Sequence, residues 1–498
     1  IVGDTLANGT RPSFESSATQ NNGFFLGYAY EYDNFSIENL NFSLTGKQLA
    51  KNFTALNFSN SSTLRWKARR VAVKNCKFGA SFNAILSSRN SETITNSVFD
   101  GSISGIRLVG TRNATVSHNQ FLNNTGGCLL FSNRDPTMLD GTQDPQVNTN
   151  ITITTNFFDK PTHSYPIHLG TEGAKKQDGV DIKNDAPYKN VVIANNLVLG
   201  LYRLSGRDSI PIEYARCGMD CGGKNCNIDK EGTADQISVH QNTDGLILFN
   251  NTTLFSGDMG ITLYECNNAL VAANTSRRNT ASGIIIHGSK NLTIAGNDFS
   301  DNGQNVYQEM DTKNRCASFF AHAGLCIAAL HKQSSSDITL YENRYDIRKK
   351  KLQKYNVSIV DKGLTNINIQ EKEVTTNEIE TQNAKMPVKL ARTAKINPAF
   401  IADKTPMNVA APSHLVEVTV PKTILTFTHQ SGNNDIYTNA YFIRSQNQST
   451  VTLRVLNPID NKAFTINGQA NYTVTVNQSG VLFYYDKQTQ SYKALKGK

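Results

Sequence analysis

Short runs of alternating apolar and polar residues return through the first 345 or so positions, each followed by Asn, one residue, and an aromatic or aliphatic side chain. Clear copies are Val116-Ser-His-Asn119-Gln-Phe121, Ile153-Thr-Thr-Asn156-Phe-Phe158, Ile193-Ala-Asn-Asn196-Leu-Val198, Ile294-Ala-Gly-Asn297-Asp-Phe299 and Leu340-Tyr-Glu-Asn343-Arg-Tyr345. Earlier copies place Asn one residue sooner, as in Val73-Lys-Asn75-Cys-Lys-Phe78 and Ile94-Thr-Asn96-Ser-Val-Phe99. Alternation of this kind is the period of a half-buried strand, and no helical period competes with it. A self-similar unit of roughly twenty-odd residues built from strands and Asn bends is what stacked β-coils produce. One coil cannot bury its own apolar side, so its neighbours must cover it. Asn suits the bends because it tolerates left-handed backbone and its amide can bond to the coils above and below. The pattern predicts an all-β chain, a right-handed parallel β-helix.

The same reading divides the chain. Residues 1–23 form an opening segment rich in Ser, Asn and Gly, and coils run over 24–370. Insertions at 135–148, 172–189, 217–235 and 307–321 interrupt them. Loops of that length inside a repeat usually carry function. Over 371–413 the repeat is lost, and Met386-Pro-Val, Asn397-Pro and Thr405-Pro-Met mark a linker or stalk. From 414 to 498 short strands such as Leu415-Val-Glu-Val-Thr-Val420 and Thr450-Val-Thr-Leu-Arg-Val-Leu456 alternate with turn residues. These predict a small antiparallel β-sandwich.

At 498 residues the chain exceeds one compact core, but a solenoid grows lengthwise without that limit. Its formal charge of +9 favours an acidic partner, or serves solubility alone. The positives are scattered and the aromatics hold core-like positions, which argues against nucleic acid. No window approaches the ~20 apolar residues of a membrane span, so no membrane insertion is expected. The chain starts at Ile1 without Met or a signal segment, and reads as a processed chain or a fragment. Cys217, Cys221 and Cys226 cluster, while Cys76, Cys128, Cys266, Cys316 and Cys326 fall in or near repeat strands. The cluster lacks paired short spacings or nearby His, so no metal and no cofactor are expected; a disulfide-tied loop or reduced thiols fit better.

A second strand recurs in each coil: Gly105-Ile-Arg107-Leu-Val109, Gly127-Cys-Leu129-Leu-Phe131, Pro166-Ile-His168-Leu-Gly170, Pro211-Ile-Glu213-Tyr-Ala215, Gly260-Ile-Thr262-Leu-Tyr264 and Gly283-Ile-Ile285-Ile-His287. Its second and fourth positions should face inward and its third and fifth outward. Stacking would align Arg107, Leu129, His168, Glu213, Thr262 and Ile285 in one outward column. Val109, Phe131, Gly170, Ala215, Tyr264 and His287 would form the next, with Arg216 and Glu265 on the rim. The long insertions would wall this stretch into a groove.

Glu213 beside His168 is the leading acid, base or substrate anchor; the plainer alternative is a solvated strand residue paired with Arg216 or His168. His168, Asp258, Glu265 and Asp208 complete the catalytic candidates, although Asp208 and Asp258 also fit turn caps. Tyr264 and Phe131 would stack on sugar rings, or form an exposed aromatic ladder. Arg107, Arg203, Arg216 and His287 would contact the substrate.

A solenoid followed by a linker, a small sandwich and the closing strands Gly480-Val-Leu-Phe-Tyr-Tyr-Asp486 and Gln490-Ser-Tyr492 resembles bacteriophage tailspike depolymerases. Polysaccharide lyases and uronan epimerases share the solenoid more distantly. The resemblance implies an extracellular enzyme of a virion tail, or a secreted one, that cleaves a capsular or lipopolysaccharide glycan. Three readings stay open. A glycoside hydrolase needs two carboxyl groups, Glu213 with Asp258, Glu265 or Asp208. A lyase would neutralise a uronate with Arg216 or Arg203 and abstract a proton with His168, Tyr214 or Tyr264. A binding spike would use the groove without chemistry. A homotrimer is expected if outward Val416, Val418, Val481 and Phe483 meet around an axis.

Overall fold

The computed structural model describes residues 2, 11–16, 25–26, 34–44, 54–58, 70–87, 91–132, 148–159, 161, 165–170, 176–177, 180–181, 188–200, 235–240, 243–303, 323–328, 333–345, 353, 355–359, 361, 363–370, 379–381, 399–409, 414–431 and 436–497. Every regular element among them is a strand. Three sheets of nine, twelve and eleven strands run along the molecule, and the chain visits them in turn, coil after coil. All three are parallel, so the first unit is a parallel β-helix.

The recurrent Asn explains the stacking. Asn119, Asn156, Asn196, Asn251, Asn274, Asn297 and Asn343 stand above one another inside the bend, each almost fully buried. Each Nδ2 donates to the next Oδ1, at 3.1, 3.0, 2.9, 3.0, 3.0 and 2.8 Å in order along the column. The same Oδ1 also accepts the backbone N–H of the coil before it, as from Asn196 to Asn251 at 3.1 Å. Buried amides are tolerated because they are so fully paired. The early copies, with Asn one place sooner, use the residue differently. Asn75 and Asn96 hold the left-handed backbone of the bend itself, φ 53° in both. In those coils Cys76 and Ser97 fill the inner position.

The aromatic that follows the bend lies in the nine-stranded sheet and points inward. Phe42, Phe78, Phe99, Phe121 and Phe158 form a stack with centroids 5.1, 5.0, 4.9 and 4.6 Å apart and rings within 13° of parallel. Such offset stacking adds to the burial of each ring. Cys76, Cys128, Cys266 and Cys326 are buried free thiols; burial pushes the pKa of the first three up, which keeps them protonated.

Part of the stretch expected as a linker belongs to the flanking units. Ile379–Thr381 extends the twelve-stranded sheet beside Tyr355–Ile359, while Ala399–Ala402 and Met407–Asn408 open the C-terminal unit. That unit is a sandwich of two five-stranded sheets. It is not purely antiparallel as expected. Leu415–Val418 runs parallel to Ala440–Arg444, and Lys422–Thr428 parallel to Ser449–Leu456, because the chain alternates between the sheets like a two-sided coil. Antiparallel pairing joins Ser449–Leu456 to Ala463–Phe464 and Tyr472–Val476, and Val481–Asp486 to both Ala440–Arg444 and Ser491–Lys496.

Val416, Val418, Val481 and Phe483 lie in the sandwich's own core, each at most 1% exposed. The opposite face of the same sheet, with Leu415, Ala440, Phe442, Leu482 and Tyr484, packs on the outside of the eleven-stranded sheet against Val192, Ile247, Phe249, Leu270 and Ala272. The apolar positions assigned to a three-fold axis are thus covered within one chain, and the argument for a homotrimer loses that support.

Candidate functional site

The outer face of the twelve-stranded sheet carries the side chains of interest. Register sets Arg107, Leu130, His168, Ser238, Thr262 and Ile285 in one outward column. Two sequence assignments change. Leu129 and Phe131 face inward and are fully buried, packed in line with Ile167 and Leu169. Phe131 is therefore a core residue and no sugar platform; Cys128-Leu-Leu-Phe131 is apolar throughout, and alternation could not fix which side faced out. The strand next to His168 is Ile237–Val239, so Ser238 holds the place assigned to Glu213. Glu213, Asp208, Arg203, Tyr214 and Arg216 lie outside the described residues.

His240, just past that strand, was missed by the sequence reading. Val239 pairs with Leu263, which brings His240 beside Tyr264, and Tyr264 pairs with His287. The signal was present: Ile237, Ile261 and Ile284 recur 24 and 23 residues apart, which marks Ile237-Ser-Val239 as a strand of the series. The outcome is a continuous run of rings across four coils. Tyr165 stacks on His168 at 4.5 Å, His168 meets His240 edge-on at 5.0 Å, and His240 meets Tyr264 edge-on at 4.4 Å. Tyr264 then stacks on His287 at 4.5 Å, with planes 10° apart.

Burial keeps His168 and His240 uncharged. Burial lowers the pKa of His168 to about 4. It holds His240 well below the usual histidine value as well, with further lowering from His168 and His287, whose charged forms would repel its own. The Ser238 hydroxyl lies 2.7 Å from His240 Nε2 and fixes that ring. His168 Nδ1 is buried with no hydrogen-bond partner among the described residues. Beneath, the buried Tyr188 hydroxyl lies 3.0 and 3.2 Å from the carbonyl oxygens of Phe131 and Gly170, anchoring the backbone under the rings.

The remaining candidates fall around this run. Glu265 follows Tyr264 at a left-handed bend and lines a hollow with Lys290 and Gln333. Asp258, mostly buried, precedes the same strand, its N–H donating to Ser256 Oγ at 3.2 Å. These two carboxylates thus stand at opposite ends of Ile261–Tyr264, a strand of ~13 Å at 3.3 Å per residue. Arg107 is outward but two coils from His168, ~10 Å at the strand spacing.

A family model described as a right handed beta helix region matches residues 212–388. With the three parallel sheets, it defines the chain as a right-handed parallel β-helix protein. No curated protein matches the sequence. Among solved structures the chain is similar to the A-module of the mannuronan C-5 epimerase AlgE4 of Azotobacter vinelandii, 12% identical over 71% of this chain and 75% of that one, TM-score 0.28. It is similar to the periplasmic alginate epimerase AlgG, 12% identical over 67% and 77%, TM-score 0.32. It is also similar to PfbA, a surface adhesin of Streptococcus pneumoniae, 11% identical over 89% and 88%, TM-score 0.31.

Proposed function

We propose that this protein is a polysaccharide-cleaving enzyme acting outside the cell on an acidic glycan, by proton abstraction and β-elimination at the His168–His240–Tyr264 run. The observation that carries the reading is His240: partly exposed, held neutral by burial, braced by Ser238 at 2.7 Å and flanked by a tyrosine. A neutral imidazole is a competent proton acceptor, and a phenol beside it is a competent donor. In the proposed step His240 takes the proton α to the uronate carboxylate. That electron pair forms the new C=C bond, the glycosidic C–O bond at the β carbon breaks, and the leaving oxygen takes a proton from Tyr264. His168, whose Nδ1 has no hydrogen-bond partner among the described residues, would hold a substrate hydroxyl or carboxylate.

Hydrolysis by a carboxylate pair is less well supported, because the described carboxylates Asp258 and Glu265 flank opposite ends of one strand. The net charge of +9, with Arg107 and Lys290 toward the two ends of the run, suits a polyanion. Such a glycan would be met on a bacterial surface, by a virion tail spike or a secreted enzyme. Purified protein incubated with acidic capsular polysaccharide should release products that absorb in the ultraviolet as unsaturated uronates. New reducing ends without that absorbance, abolished by Glu213→Gln, would replace elimination with hydrolysis. Binding without either product would leave a glycan-binding spike.

A further inference from the structure

A second concavity lies away from the ring run, in the angle between the solenoid and the docked sandwich. Its floor is the outer side of a bend, where Thr275, Asp298 and Arg344 pair coil over coil. Its far wall is Gln446 and Gln478, reaching from the sandwich. The cleft encloses about 390 Å³, within the range of small-ligand sites, which favour junctions between folded units.

The lining says what would fit. Among the described residues that line it, Ala273 is the largest aliphatic side chain and none is aromatic, so an apolar ligand would gain little. Charge is balanced, Asp298 and Glu342 against Arg344 and Arg444, so an anion finds no net attraction. Part of that charge is already paired: Asp298 lies 3.5 Å from Arg277, and Arg444 bridges Glu342 and Glu417. The wall is also pre-set, because Arg444 sits 5.0 Å over the Tyr341 ring and fixes the sandwich against the bend. What the rim presents is carboxamide, at exposed Gln446 and Gln478: Gln446 Nε2 donates to Glu342 at 3.3 Å and Gln478 Nε2 to Gln446 O at 3.5 Å, and each amide also carries an oxygen acceptor and a second N–H. That is the complement of adjacent hydroxyl groups.

We infer that this interdomain cleft is a second glycan-binding site, selective for a short neutral polyhydroxylated segment. It requires only that the two units dock as they do, and it is independent of the chemistry proposed at His240. The test is calorimetric titration of the full chain with maltotetraose, cellotetraose and mannotetraose, and with tetragalacturonate as the acidic counterpart. At least one neutral tetrasaccharide should bind. Gln446→Ala with Gln478→Ala should weaken that binding at least tenfold, Gln446→Trp should block it, and His240→Asn should leave it unchanged. Unaltered thermal melts of the Gln variants keep the comparison valid, since both side chains are exposed. Failure of all three neutral sugars to bind at millimolar concentration would overturn the proposal. So would neutral-sugar binding that His240→Asn removes and the Gln variants do not.

Discussion

The imidazole of His168 lies over Gly170, so that a Cβ added to Gly170 would stand 2.6 Å from His168 Nε2 and 3.3 Å from His240 Cβ. The missing side chain makes room for the ring. Gly170→Ala should therefore push His168 aside by rotation about its side-chain bonds, at a cost in stability of about 1 kcal/mol. Turnover should fall about tenfold or more, because His168 would no longer face His240 and Tyr264. Melting curves and steady-state kinetics on acidic glycan would check this. A variant with full activity would show that His168's position does not matter to the reaction.

His240→Asn should keep the fold and lower turnover by about 100-fold or more, the scale of a lost acid–base group. Ser238→Ala should cost less and act through His240. With the brace removed the ring loses its fixed orientation, so kcat should fall while the acidic limb of the pH profile, set by burial and by His168 and His287, stays in place. In the wild type that limb should lie well below the ordinary histidine range near 6.5, since burial and the neighbouring histidines depress His240. An unchanged kcat in Ser238→Ala would leave Ser238 a bystander.

The depressed pKa of His168 also has a consequence for folding. Its value falls from about 6.5 unfolded to about 4 folded, so below pH 6.5 the unfolded chain binds the extra proton. The contribution is full above pH 6.5 and is lost as pH falls from 6.5 toward 4. At roughly 1.4 kcal/mol per unit it amounts to about 3 kcal/mol, with His240 acting in the same direction. Urea midpoints for wild type and His168→Phe at pH 7.5, 5.5 and 4.5 should converge or cross as pH falls. Parallel curves would mean that His168 stays accessible to protons.

The fold was legible because a solenoid must put the same residue at the same place in each coil. Asn119, Asn156, Asn196, Asn297 and Asn343 are readable as one column for that reason. Asn251 and Asn274 escaped because they sit in Phe249-Asn-Asn251-Thr and Ala273-Asn274-Thr, where a Thr replaces the exposed residue and hydroxyls replace the inward aromatic. The outward column was legible at Arg107, His168, Thr262 and Ile285, and misplaced at two coils, where Leu130 and Ser238 stand. Between Leu197–Leu199 and Ile237–Val239 lies a long stretch of sequence, and its Pro211-Ile fits the same sequence pattern as the strand starts. A one-residue slip turns inward side chains outward, as happened at Leu129 and Phe131. The docking of the sandwich was not legible, because Phe249 and Leu270 on the solenoid look like ordinary strand residues until their partners are known.

Asn251 should be among the most costly single positions in the solenoid. It donates to Ile193 O at 2.8 Å and Asn274 Oδ1 at 3.0 Å, and accepts from Asn196 N–H and Nδ2 at 3.1 and 2.9 Å. Asn251→Leu keeps the volume but strands those partners without water, at about 1–3 kcal/mol each. A loss of several kcal/mol should appear in denaturant melts. A loss below about 1 kcal/mol would mean that the column contributes geometry without stability.

Phe249 is fully buried outside the solenoid wall, and its ring meets Phe442 of the sandwich edge-on at 6.0 Å. The docking face around it is apolar, so a charge placed there has no partner to offset its desolvation. Phe249→Asp should release the sandwich while both units keep their own cores, because the Phe249 side chain belongs neither to the inner core of the solenoid nor to the core around Phe427 and Tyr441. Small-angle scattering should then report a larger radius of gyration at unchanged β content by circular dichroism. Phe442→Asp, from the opposite side, should do the same. The released face should bind hydrophobic dyes and associate, since Val192, Ile247, Leu270 and Ala272 would join a contiguous exposed patch. If both variants stay as compact as the wild type, the sandwich is held by its polar ties instead, chiefly Arg444 to Glu342 and Ile436 N–H to Asn190.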